Sequence, residues 1–257
     1  MNEPDSGRPT HFEQNWRRRF QQFARSGTDD ASIAGWTRNG LAVRVRNFTH
    51  HWPARGPAGS WLDAGCGAGT YLRLLLQSGA EVVGLDYSLP SLVKARAAVP
   101  DCSAWCAADV NRLPLGPAQF DGALCFGVLQ AVSDSRPVIT ELLRVTRPGG
   151  VIWIDALNAD CLPTRLARVL RRLRHRPMHL RYETPQHLAS ILRAHGLVEI
   201  ETQWIPIVPE RYQALQSAVE TPRMRRLLQA WPLLARSLCH AFAIRARVPA
   251  AGRVGAM

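Results

Sequence analysis

Short apolar runs alternate along this chain with segments whose apolar positions return every three or four residues. The runs at Trp61-Leu62, 81–86 (EVVGLD), 103–107 (SAWCA), 120–126 (FDGALCF) and 151–155 (VIWID) read as strands. The segments between them read as helices: an apolar stretch at 71–76, one that Ser88 caps and Pro90 opens running to about Val99, and one over 135–145. Strands alternating with helices predict an α/β fold around a parallel sheet. Two later runs, 197–207 and 241–248, read as closing strands, with helices expected around 212–219 and 224–238.

Ahead of this alternation, Phe12, Trp16, Phe20 and Phe23 recur at spacings of four, four and three, the stripe of an amphipathic helix. A second helix is expected over 30–51, carrying Ile33, Trp36, Leu41, Val45 and Phe48. Residues 53–59 are rich in Pro and Gly and read as a linker. The expected organisation is a disordered N-terminus (1–10), a helical cap (11–59), a main domain (60–248) with a basic insert (158–183) and a helical insert (209–238), and a flexible tail (249–257).

The densest chemical signal is 60–76, SWLDAGCGAGTYLRLLL, in which a strand, a glycine turn and a helix follow one another. That order places free backbone N–H groups at a helix N-terminus beside a ligand. Glycine lets the backbone approach closely and take up positive φ. A dinucleotide fingerprint, G-x-G-x-x-G counted from Gly65 and Gly67, would need glycine at 70; Thr70 stands there and the glycine is Gly69. Asp86 ends the next strand 23 positions after Asp63 (86 − 63), where a carboxylate accepts hydrogen bonds from ribose hydroxyls. Asp109-Val110 follows the third strand, and Phe126-Gly127 closes the fourth.

D-x-G-x-G-x-G, led by Asp63, resembles motif I of the class I S-adenosylmethionine (SAM) methyltransferases. Leu113-Pro114 with Phe120-Asp121 and the segment LLRVTRPGGVIWID (142–155) resemble later blocks of the ubiquinone and menaquinone subgroup. The resemblance implies a Rossmann-like sheet of seven strands, mostly parallel, with helices on both faces and an antiparallel C-terminal strand pair. It implies SAM as cofactor and S-adenosylhomocysteine as product. It also implies a cofactor set of Asp63, Gly65, Cys66, Gly67, Gly69, Asp86, Tyr87, Asp109, Val110, Phe126 and Gly127, with Asp109 on the adenine amino group. Tyr71, at the helix start, is placed to pack on the ligand. The N-terminal aromatic stripe either covers core or closes over the cofactor, as such helices do in this family.

A formal charge of +12 and pI near 10.6 raise nucleic acid as a partner. Lys94 is the only lysine, however, and an arginine- and alanine-rich composition reflects a GC-rich genome as readily as a binding surface. The N-P-P-[YF] tetrad of amino-methylating enzymes is absent, so a nucleic-acid methyltransferase is the weaker alternative, as is an NAD-dependent Rossmann oxidoreductase. The six cysteines form no zinc set, and no metal is expected. No run of about 20 apolar residues and no signal-peptide pattern is present, so the expected compartment is the cytoplasm.

The acceptor is expected to be a small molecule, anionic or lipid-like. His179 and Tyr182 are the candidate catalytic residues, because the insert after strand five often lines acceptor pockets; His11, His50 and His51 are further candidates. The segment 162–181 carries arginines and no acid, with Leu162, Leu166, Val169, Leu170 and Leu173 at helical spacing. One face of that helix is expected to be buried. The other is a lid over an anionic acceptor, a peripheral contact with anionic membrane, or a solvated surface. Oligomeric state is not legible in the sequence. The glycine register makes a first prediction: calorimetry should detect binding of SAM and S-adenosylhomocysteine and none of NAD.

Overall fold

The structure, a computed structural model, describes residues 9–52, 59–175 and 180–250. Residues 1–8 of the expected N-terminus, 53–58 of the linker, 251–257 of the tail, and His179 within 176–179 lie outside the described residues. The chain begins with α1 (His11–Ser26), α2 (Asp30–Ile33) and α3 (Arg38–His51). It then alternates β1 (Ser60–Ala64), α4 (Thr70–Gln77), β2 (Glu81–Asp86), α5 (Leu89–Ala98), β3 (Ala104–Ala107), β4 (Phe120–Cys125), α6 (Ser135–Val145) and β5 (Thr146–Leu157). After α7 (Leu162–Leu173) and α8 (Pro185–Ala194) come β6 (Val198–Ile205), α9 (Gln216–Val219), α10 (Pro222–Ala230), α11 (Pro232–Leu238) and β7 (Ala241–Arg247).

The seven strands form one sheet in the order β3-β2-β1-β4-β5-β7-β6. β1 to β5 are parallel, and β7 lies antiparallel between β5 and β6. This is the expected Rossmann-like sheet with an antiparallel C-terminal pair. Strand order reverses between β1 and β4, so a crevice opens beyond their carboxyl ends. Both faces are covered, and the two-residue period sorts the side chains between them. Leu62, Ala123, Ile152 and Ile154 point to the face packed by α6 and α8. Trp61, Leu124 and Trp153 point to the other, with Leu72 and Leu75 of α4 and Phe48 of α3.

The cap differs from expectation in one place that matters. The second helix is broken into α2 and α3, because Gly35 takes a φ of +68° and the Trp36 amide bonds back to the Ala31 carbonyl at 2.8 Å. Thr37 then caps α3 by accepting from the Gly40 amide at 3.0 Å. The break turns Trp36 away from the helix line and toward the carboxyl ends of the strands. α3 is held there by a buried ion pair, Arg44 Nε to Asp155 Oδ2 at 2.9 Å, with the Arg44 guanidinium 4.1 Å from the Trp36 ring.

The basic helix is the second departure. Periodicity had one face of α7 buried, and the leucine stripe was the face expected to be covered. Instead Thr164 is buried and Arg168 half-buried, while Leu162, Leu166, Val169, Leu170 and Leu173 are all exposed. The C-terminal helices are also shorter than expected. The 210–219 region is a 3-10 turn running into α9, and Pro232 divides α10 from α11. No described helix is long and apolar enough to cross a membrane.

The buried ion pair makes the stability prediction. Arg44→Met should cost about 3–5 kcal/mol in urea unfolding, since it strands the Asp155 carboxylate in the interior. Arg44→Met combined with Asp155→Leu should recover part of that loss.

Candidate functional site

The site begins where β1 ends. Asp63 is buried at the end of that strand, and the chain turns over it, with the Gly65 and Cys66 amides donating to the Leu85 carbonyl of β2 at 2.6 and 2.9 Å. These bonds fix the turn against β2. Gly67 has a φ of +52°, and a Cβ there would find nothing nearer than Ala34 at 3.9 Å. A side chain at 67 would thus project into open space, the cradle that a ligand takes when the backbone itself is the contact.

Asp86 closes the turn from the β2 side. Its Oδ2 accepts from the Gly67 amide at 2.9 Å and its Oδ1 from the Ser88 amide at 2.8 Å. Burial raises the Asp86 carboxyl above the ordinary carboxylate range, against those amide bonds. Asp63 is pushed up to about 8, by burial first and then by the nearby Asp86 charge. Its Oδ2 is buried with no partner among the described residues. Two desolvated carboxyls under one glycine turn make a floor suited to a ligand that carries positive charge.

The cavity above this floor encloses about 740 Å³, including the space at its open mouth, within the range of small-molecule sites. Asp109, Val110 and Asn111 form one end. Asp109 Oδ1 accepts from the Asn111 amide at 2.9 Å, and its other oxygen is paired with Arg17 of α1. Phe126, Gly127 and Val128, just past β4, form the opposite end. The Gly127 amide donates to Asp155 Oδ1 at 2.6 Å. Trp36 lies so close over Gly127 that a Cβ there would stand 2.4 Å from the indole.

The roof is α1. Glu13, Trp16, Arg17 and Phe20 line the cavity, so two of the four aromatics of the stripe face it, while Phe23 lines a neighbouring chamber. Thr10 and Glu13 form a reciprocal cap, and Glu13 Oε1 also accepts from the Ser133 amide at 2.9 Å, fastening the start of α1 across the cavity. A second chamber, about 1130 Å³ with its open mouth, shares Trp16, Phe20, Ala34 and Trp36 as a wall with the first. Arg19, Arg44, Leu157, Leu180, Ile207 and His240 surround its remaining sides. Burial holds His240 down to about 4, so it is a neutral group at physiological pH.

Eight of the twelve residues expected to hold cofactor line the first cavity: Gly65, Gly67, Asp86, Tyr87, Asp109, Val110, Phe126 and Gly127. Asp63, Cys66 and Gly69 support the turn without lining it, and burial raises the Cys66 thiol well above its usual range. Tyr71 is not at the ligand surface. Its ring packs on Phe126 at 4.7 Å and Phe48 at 5.4 Å, in the core behind the turn. Tyr182 lines neither chamber; it packs against Val43, Leu157 and Ile205, with the Arg168 guanidinium 5.4 Å from its ring. Of the other histidines, His11 is exposed, and His50 and His51 lie beside Trp204 away from both chambers. Among the described residues, no three His, Cys, Asp or Glu side chains are grouped to hold a metal.

Sequence reading missed Glu13, Arg17, Trp36, Arg44 and Asp155. Gly35 followed by Trp36-Thr37 was a legible break-and-cap signal, and Asp155 was legible as an acid ending an apolar strand. The pairing of Arg44 with Asp155, 111 residues apart, carried no local signal.

The model of a family described as "Methyltransferase domain" matches residues 62–154. The malonyl-[acyl-carrier protein] O-methyltransferase of Enterobacter lignolyticus is 30% identical over 188 residues, which cover 66% of this chain and 74% of that one. The protein of the same name from Pseudescherichia vulneris is 41% identical over 109 residues, 42% of this chain and 43% of that one. Among solved structures, Burkholderia thailandensis 1,6-didemethyltoxoflavin-N1-methyltransferase, with bound 1,6-didemethyltoxoflavin and S-adenosylhomocysteine, superposes with a TM-score of 0.60. It is 18% identical, with 97% of this chain and 93% of that chain covered, and shares the fold.

The Asp63 carboxyl yields a pH prediction for the ligand-free protein. Its pKa is raised on folding, so the unfolded chain releases this proton at lower pH and stability falls between about pH 4 and the folded value of about 8. Asp63→Asn should flatten that part of a melting-temperature profile, with the variant gaining most over the parent near pH 8.

Proposed function

The chain belongs to the class I SAM-dependent methyltransferases, and on that premise we propose that SAM lies under α1 while a carboxylate-bearing acceptor enters the chamber beyond Trp36. Membership of this family removes the nicotinamide alternative. The residues present fit the cofactor: an open cradle at Gly67, and an unpartnered Asp63 oxygen with Asp86 in a floor that favours positive charge. Asp86 would take the ribose hydroxyls and Asp109 the adenine amino group, with Tyr87 and Val110 flanking the ring. The Gly65–Gly67 turn would hold the amino-acid end, and Phe126 and Gly127 the end facing the acceptor. Bound there, SAM supplies an electrophilic methyl whose departure leaves a neutral thioether.

The observation that supports a carboxylate acceptor is the placement of Arg44. Its Nε is committed to Asp155 at 2.9 Å and its Nη1 to the Gly40 carbonyl at 3.3 Å, while Nη2 has no partner among the described residues. The side chain borders the second chamber, a few atoms from the wall shared with the cofactor. A guanidinium fixed in this way can receive an anion without first losing side-chain freedom. The relatives' name, malonyl-[acyl-carrier protein] O-methyltransferase, supports the same class of group.

A carboxylate is ionised at neutral pH, so its oxygen is a nucleophile without a base. That agrees with the buried, raised Tyr182 phenol standing away from both chambers. The chain then has two tasks, to align acceptor and methyl and to exclude water, and orientation alone can lower a barrier by about 7–11 kcal/mol. Trp16, Phe20 and Trp36 provide the dry wall between the chambers. Within the basic segment 158–183, α7 lines neither chamber and Leu180 borders the second, so any contact of α7 with an anionic membrane serves docking rather than methyl transfer.

The test is methyl transfer from labelled SAM to acyl thioesters ending in a free carboxyl, malonyl first. A labelled, alkali-labile methyl ester is the expected product; label recovered only in alkali-stable products would overturn the acceptor class. Asp86→Ala should weaken SAM binding by about 1–3 kcal/mol, the cost of unpaired hydroxyl partners. Arg44→Lys should raise the acceptor's KM while leaving SAM affinity within a factor of about two, since Lys keeps the charge but not the fork.

A further inference from the structure

α7 presents to solvent the face that an amphipathic helix normally buries. Leu162, Leu166, Val169 and Leu173 are 54–71% exposed. The face turned inward is polar: Thr164 Oγ1 lies 3.2 Å from His240 Nδ1, and Arg168 reaches the Ala159 carbonyl at 3.4 Å while covering Tyr182. Exposed Arg165 and Arg172 flank the stripe on one side and Arg174 on the other. A stripe of this kind is not an accident of loose packing, because α7 is pinned on its polar side.

α11 lies in contact with α7 and extends the same surface. It is fixed to the start of α7 by Arg236 on Asp160 at 2.7 Å and by the Asn158 amide on the Arg236 and Cys239 carbonyls, each at 2.8 Å. Its exposed side chains are apolar as well: Trp231 at 64%, Leu233 at 78%, and Leu238 at 54%. The charge is one-sided. No Asp or Glu occurs between Cys161 and Tyr182, and none follows Glu220, while α10 adds exposed Arg223 and Arg226.

We propose that α7 and α11 form a docking face for an anionic lipid surface. Aliphatic side chains and a tryptophan set between arginines match the boundary of a bilayer, where acyl chains meet charged headgroups. Arginine stems can lie along the apolar stripe while their guanidinium groups remain at headgroup level. A nucleic acid would answer the charge and leave the leucines in water. A folded protein partner would need an apolar surface shaped to two helices, whereas a bilayer conforms to both. Neither α7 nor α11 lines the cofactor cavity or the second chamber, so this face is separate from the reacting centre. Leu157, just before α7, and His240, just after α11, do line the second chamber, so docking holds that chamber near the lipid.

The test is sedimentation of the full chain with vesicles of phosphatidylcholine alone or mixed with phosphatidylglycerol. It involves no methyl transfer, so it stands or falls apart from the carboxylate reading. One variant carries Leu166→Ser, Val169→Ser and Leu173→Ser; the other carries Arg165→Glu, Arg172→Glu and Arg174→Glu. All six side chains are exposed, and unchanged SAM affinity shows that each variant is folded. The parent should bind the anionic vesicles, more weakly as salt rises, and leave the neutral ones in solution. The arginine reversals should lower partition roughly a hundredfold, and the serine set should lower it about as far. Failure of the parent to bind anionic vesicles would overturn the proposal, as would equal binding to neutral ones or binding untouched by both variants. A parent dimer that the serine set dissolves while vesicle binding persists would assign the stripe to a second copy and overturn it equally.

Discussion

One buried carboxylate ties both the helical cap and the loop beyond β4 to the sheet. Asp155 lies two residues before the end of β5, and its two oxygens receive the Arg44 guanidinium of the cap and the Gly127 amide beyond β4. The first bond brings α3 onto the sheet and sets Trp36 beneath the guanidinium; the second fixes the loop at one end of the cofactor cavity. Buried charges are tolerated only when paired and hydrogen-bonded, and this pair meets that condition by reaching in two directions. The wall between the two chambers therefore depends on it.

The floor of the cavity follows the opposite logic. Asp63 and Asp86 lie close together out of water, and Asp63 has an oxygen left without a partner. In the ligand-free protein this is a destabilising arrangement, and a cationic ligand beside Asp86 would relieve part of it. Stability and binding are thus opposed at the same atoms, as is common where a site is organised ahead of its ligand.

What could be read in advance tracks how local the determining interaction is. The strand-turn-helix at 60–76 was legible because the glycine register, the leading acid and the apolar flanks all lie within one stretch. Asp86 and Asp109 were legible because strand ends repeat in a regular α/β unit. Tyr71 was misplaced because a residue at a helix start faces either ligand or core, and only Phe48 and Phe126 decide between them. Periodicity showed that α7 has two faces but not which one would be covered, since the cover is supplied by Tyr182 and His240 from elsewhere in the chain. Arg44 and Trp36 were invisible as site residues for the same reason.

The roof over the cofactor has a kinetic consequence. α1 spans the cavity on a few polar fastenings, Glu13 to the Ser133 amide and Arg17 to Asp109 among them. The Asp109 carboxylate that Arg17 occupies is also the one assigned to adenine, so an arriving nucleoside must share or displace that fastening. With the cofactor placed as proposed, exchange of spent for fresh would run through the open mouth of the cavity and be eased by any lifting of α1, a local opening. Residence time in the pocket would then depend in part on α1, and salt that weakens its half-exposed ion pair would shorten it.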